Sequence, residues 1–242
     1  MKFIFVSIIS LFIWIPMSYA ADVTIAQDPW PPFIIDNSHT PGISIEIVTA
    51  AMKTQGYNVT FKIMPWARAL DQVKKGAIDM LPATWYTTKR STYLTYSKSY
   101  LKNNIKIIKL AGSPFVYHDL KSFDGKKVGI VRGYGYNEKF LTSKRFKRPV
   151  SKDLVTNLKK LKSKRIDLTI SDELVARSLM KKNNLNAGDF SFSKTTMSTN
   201  KIFVTSGKAN PNGQKYIDAF NKGLLTIQSN GTFDQILKKY GK

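Results

Sequence analysis

From Val23 onward, short apolar runs alternate with stretches of helical period, and this alternation restricts the chain to an α/β fold. Residues 23–26 read as a strand. Asp28-Pro29-Trp30-Pro31-Pro32-Phe33 is a loop, because three prolines remove backbone donors and fix φ. Ile43, Ile47, Ala50, Ala51 and Thr54 share one face of a helix that Gly56 ends. Residues 59–64 form a strand. Pro65 opens a second helix, with Leu70 and Val73 inward and Gly76 as its stop. Residues 78–82 give a third strand. The loops after these strands gather at one sheet edge, where open α/β sheets hold their ligands.

The second half repeats the theme. Residues 127–131 form a strand leading into Gly133-Tyr134-Gly135-Tyr136 and a helix. Leu154, Leu158 and Leu161 define another helix, residues 166–170 a strand, and a helix follows from about Asp172 to Lys182. Two closing helices carry Ile217, Phe220 and Leu224, then Phe233, Ile236, Leu237 and Tyr240. Residues 105–109 and 201–205 are extended runs without the usual flanking helices. We read them as two crossings between lobes, with lobe one at 21–108 and 203–242 and lobe two inserted at 109–202.

Residues 1–20 read as a secretory signal peptide. Lys2 gives a basic start, an almost wholly apolar run follows, and Ser18-Tyr19-Ala20 is a small-x-small cleavage pattern. The apolar run is about 15 residues, short of the roughly 20 that a membrane span needs. The expectation is therefore an exported, periplasmic chain cleaved after Ala20. It contains no cysteine, so its fold rests on its core without disulfides.

The formal net charge is +22, and residues 111–204 hold 20 Lys and Arg against 8 Asp and Glu. Such a balance raises nucleic acid as a partner. Yet the lysines fall in pairs at helix ends and on polar faces, as at Lys74-Lys75, Lys159-Lys160 and Lys238-Lys239. That pattern describes a solvated surface rather than a groove, and no nucleic-acid partner is expected. An anionic membrane surface would attract such a chain.

Five motifs occur in order along nearly the whole chain. They are Gly76-Ala77-Ile78-Asp79; Thr87-Thr88-Lys89-Arg90; Tyr96-Ser97 with Tyr100; Phe123-Asp124-Gly125-Lys126-Lys127-Val128-Gly129-Ile130; and Arg165-Ile166-Asp167 with Ser171-Asp172-Glu173. Together they resemble the polar-amino-acid class of periplasmic solute-binding proteins, extracellular family 3. The resemblance implies a two-lobed type II periplasmic-binding-protein fold, each lobe a mixed sheet flanked by helices. It also implies capture of a small polar ligand, an amino acid or related carboxylate. The bound form would be delivered to an inner-membrane ABC permease or a receptor. A monomer without cofactor or metal is expected.

The resemblance assigns Arg90 to the ligand's α-carboxylate, and the chemistry agrees, since a guanidinium is a planar fork that stays charged when desolvated. It assigns Asp172 to the α-ammonium, although Asp172 also reads as a plain helix N-cap. It places an acid at Asp28 to read a cationic side chain, while a loop Asp capping its own turn reads equally well. Arg68 nearby would oppose a cation. Gly133 and Gly135 would bring backbone close to the ligand, with Tyr134 between them. Trp30, Trp66 and Trp85 cluster at the strand ends as pocket walls, and Thr84 is the one hydroxyl left where the family carries several. With Glu46 for the usual Asp, Pro65-Trp66-Ala67-Arg68, and one residue fewer between Asp79 and Arg90, the chain resembles a divergent branch. No catalytic residue is expected. His39 and His118 have no Ser or Cys partner at a recognisable spacing, which weighs against dehydratase-like catalysis on the same fold. A sensing lobe for a membrane receptor remains the second alternative.

Overall fold

A computed structural model describes residues 21–241. The signal-peptide reading lies outside these residues. The elements in chain order begin with β1 (Ala21–Gln27), α1 (Ile43–Lys53), β2 (Tyr57–Ile63), α2 (Trp66–Lys74), β3 (Met80–Trp85), α3 (Thr88–Ser91), β4 (Leu94–Tyr96) and β5 (Leu101–Leu110). There follow β6 (Val128–Val131), α4 (Glu138–Thr142), β7 (Val150–Ser151), α5 (Leu154–Lys162), β8 (Leu168–Asp172), α6 (Glu173–Lys182), β9 (Phe190–Phe192), β10 (Ser198–Gly207), α7 (Gly213–Ser229) and α8 (Thr232–Lys239).

The strands join in the order β2-β1-β3-β10-β5-β8-β6-β7, with β4 beside β10 and β9 beside β5. β1 runs parallel to β2 and β3, and β6 runs parallel to β7 and β8. Each parallel set is the sheet of one lobe, and β5 and β10 connect the two. These two strands pair antiparallel from Ile105↔Ser198 to Leu101↔Ile202. Beyond that shared stretch β10 goes on to pair with β3 and β4, while β5 goes on to β8 and β9. The extended runs at 105–109 and 201–205 are thus parts of two ten-residue strands.

Burial explains the elements. β3 and β8 are buried along their whole length, as expected of strands covered on both faces. α1 turns Ile43, Ile47, Val48 and Ala51 onto the core and packs against α7 and α8. α2 buries Trp66, Ala69 and Val73, while Leu70 is half-buried.

Three strands are displaced from the positions read in the sequence, of which the second runs from Tyr57 to Ile63 rather than 59–64. The third runs from Met80 to Trp85 rather than 78–82, because Asp79 turns its carboxylate onto Thr24 N and Asn210 Nδ2. β8 runs from Leu168 rather than Ile166, because the ladder to β6 opens at Val128↔Leu168 and the side chain of Asp167 accepts from Lys127 N at 2.7 Å.

Candidate functional site

The C-terminal ends of β1, β2 and β3 converge, and the turn after β6 faces them. Gln27 ends β1, and its side-chain amide forms a two-way clamp with Ala83, donating to its carbonyl at 2.9 Å and accepting from its N–H at 3.0 Å. That clamp carries the β1–β3 contact past the main-chain pairing at Ile25↔Met80 and fixes β3 as it enters the site. Trp30 follows in the proline-rich turn, stacked on Phe33 with centroids 4.7 Å apart and edge-on to Trp85 at 5.7 Å. Trp85 donates from Nε1 to Asn103 Oδ1 at 3.1 Å, so its ring is held at both face and edge.

Arg90 sits in α3, a four-residue helix capped by Thr87, whose hydroxyl accepts from Arg90 N at 3.1 Å. The side chain is 4% exposed, unusual for arginine. Its guanidinium lies 4.9 Å from the Trp66 ring, donates from Nη1 to Trp85 O at 2.7 Å, and donates from Nη2 to Gly133 O at 2.7 Å. Trp66 Nε1 donates to the same carbonyl at 2.8 Å. Burial lowers the arginine pKa, and nearby tyrosines oppose the shift; the group stays cationic, since a guanidinium titrates far above neutrality.

The turn that brings Gly133 here is tight. Gly133 has φ +74°, a left-handed conformation suited to glycine. A Cβ on Gly135 would lie 2.8 Å from Arg90 Nη1, so a larger residue there would displace the guanidinium or the turn. Between them Tyr134 projects into the aromatic box, edge-on to Trp66 at 5.9 Å and Trp85 at 5.8 Å. Its hydroxyl donates to Asp28 Oδ2 at 2.8 Å. The other carboxylate oxygen, Oδ1, is buried without a hydrogen-bond partner. Burial pushes the Asp28 pKa up to about 7 against the pull of the Tyr134 hydrogen bond. Burial and the facing Asp28 also raise the Tyr134 phenol well above its usual value.

What remains is a cavity of about 20 Å³ lined by Gln27, Trp30, Trp66, Ala83, Trp85, Arg90, Tyr134 and Gly135. Six residues read from the sequence thus meet around one space: Trp30, Trp66, Trp85, Arg90, Tyr134 and Gly135. Gly133 joins through its carbonyl and Asp28 through Tyr134. Thr84 is fully buried and shares a 3.0 Å hydrogen bond with Thr205 Oγ1, away from the lining. Asp172 stands at the end of β8, and its Oδ1 accepts from Leu174 N at 2.8 Å and Val175 N at 3.2 Å as the N-cap of α6. It is not among the lining residues, nor are Arg68, His39 or His118. Sequence reasoning missed Gln27 and Ala83, whose importance lies in a clamp between strands that no local pattern reveals.

The two-lobed sheet, crossed by two long strands, thus holds a buried arginine and an aromatic box between its halves. The chain belongs to the bacterial extracellular solute-binding proteins, family 3, whose family model matches residues 23–242. It is 23% identical over 206 residues to a probable histidine-binding protein of Campylobacter jejuni, covering 84% of this chain and 78% of that one. Among solved structures, an ancestral arginine-binding protein bound to arginine superposes with a TM-score of 0.78 at 23% identity, covering 91% of this chain and 98% of that one. A histidine kinase sensor domain with similarity to periplasmic binding proteins superposes at 0.80 with 16% identity, covering 92% and 96%.

Proposed function

We propose that this protein captures an amino acid in the periplasm by closing its lobes, 21–108 with 203–242 against 109–202, and presents it to an ABC-type importer. The observation that carries the reading is Arg90. A desolvated guanidinium beside a tryptophan face holds oxygen acceptors from both sides of the cleft, and a ligand carboxylate is the acceptor such a fork suits best. Trp30, Trp66, Trp85 and Tyr134 supply walls for a side chain. Asp28 supplies an acid at the far end, and Gly133 and Gly135 let backbone come close. Thr84 supports β3 from behind, and Asp172, outside the lining in this arrangement, would contact the ammonium in the solute-bound form. The amino-acid ligands named for the relatives agree with this reading. The site is built for binding rather than turnover, and the protein works as a monomer without nucleic acid.

Thermal shift of the purified protein against amino acids, small carboxylates and polyamines tests it. A ligand at about 100 times its Kd adds about 2.7 kcal/mol of stability. An amino acid should raise the melting temperature of the native protein, and Arg90→Ala should lose that response while remaining folded. An Arg90→Ala protein that still responds fully would overturn the assignment. The second reading, a sensing lobe, is favoured by the close superposition with a sensor domain. Radiolabelled uptake in a strain lacking the protein separates the two, because only a transport role predicts lost import.

A further inference from the structure

The turn after β6 does more than wall the site. Gly133 O is held by two donors from different elements, Arg90 Nη2 at 2.7 Å and Trp66 Nε1 at 2.8 Å, which is how two donors would hold one oxygen of a carboxylate. One residue on, the Tyr134 ring lies in the tryptophan box and its hydroxyl donates to Asp28 at 2.8 Å. An acceptor on the arginine, a flat group between the tryptophans and a donor on the acid are what an amino acid would present to these side chains. The cavity left over, about 20 Å³, has room for a single water, whereas small-molecule pockets start at about 300 Å³.

We propose that the Gly133–Tyr134 segment is a built-in surrogate ligand that competes with solute for Arg90 and Asp28 and so selects which solutes bind. This rests on the proposed amino-acid site. The competition has a direction. Tyr134 has one O–H to give, and Asp28 Oδ1 remains buried without a partner. A buried acceptor left unpaired is costly. A solute ending in a cation with several N–H donors satisfies both oxygens and displaces the tyrosine, while a solute ending in a single donor offers Asp28 no more than Tyr134 already does.

Small-angle scattering of the protein, Tyr134→Phe and Tyr134→Ala, each without added solute, tests the first half. The native protein should be compact and Tyr134→Ala measurably larger, with circular dichroism confirming that it is folded. Calorimetry with L-arginine tests the second half. Tyr134→Phe keeps the ring and loses the donor, and its Kd for arginine should fall about tenfold, the worth of one hydrogen bond to a charged group. An unchanged radius in Tyr134→Ala, or a Kd that rises in Tyr134→Phe, overturns the proposal. If arginine binds neither form, the predicted preference for a cationic solute has failed, the amino-acid screen still decides the site's function, and the scattering comparison still decides whether the turn holds the lobes shut.

Discussion

Asp28 is the residue whose chemistry the fold alters most. Its pKa of about 7 means that it binds a proton in the folded chain where the unfolded chain, near 4, does not. The stability associated with it is therefore full below about pH 4 and is lost as pH rises through about 7. Asp28→Asn removes this dependence. Melting curves from about pH 5 to about pH 8 should show the variant gaining on the native protein as pH rises; a constant difference would sink the assignment. Asp172 calls for a different test. Asn caps a helix about as well as Asp, so Asp172→Asn should leave the melting temperature nearly unchanged while weakening amino-acid binding. A loss of stability with intact binding would leave only the cap.

Among elements, those with a long period were legible in the sequence. α1 could be read from Ile43, Ile47 and Ala51, and α2 from Pro65 through Val73, because each spans two turns or more and ends near glycine. The four residues of α3 are too few to show a period, and β4, β7 and β9 are two or three residues long. Within the site, the tryptophans and Arg90 were visible as residue types at strand ends. That Tyr134 crosses to Asp28, 106 positions away, depends on how the halves pack, which no local pattern encodes. Helix packing has a similar hidden requirement. A Cβ on Gly223 of α7 would fall 2.0 Å from Ala51 O of α1. Gly223→Ala should force the helices apart and destabilise by about 1–3 kcal/mol, as overpacked cores do, measurable by urea titration. A neutral outcome would mean that the α1–α7 contact yields easily.

At the scale of the whole molecule, charge is the dominant unresolved stress. The net charge is +22, and the ion pairs among the described residues include ones with both partners exposed, such as Lys75–Asp71 and Arg145–Asp124. Exposed pairs contribute little, whereas like charges repel across the surface. Raising salt from about 10 mM to about 300 mM should therefore raise the melting temperature by screening that repulsion. A fall would show that the pairs outweigh it.

The paired strands β5 and β10 carry a mechanical consequence. Two strands bonded edge to edge over 101–105 and 198–202 form a single leaf rather than a pair of loose cords. A leaf flexes about one axis and resists swivelling. Under the proposed closure, the inserted lobe travels along a single arc, and the Gly133 carbonyl meets Arg90 in the same orientation on every stroke. Accuracy at the latch would then come from the stiffness of the hinge, and no separate guiding contact along the rim would be needed.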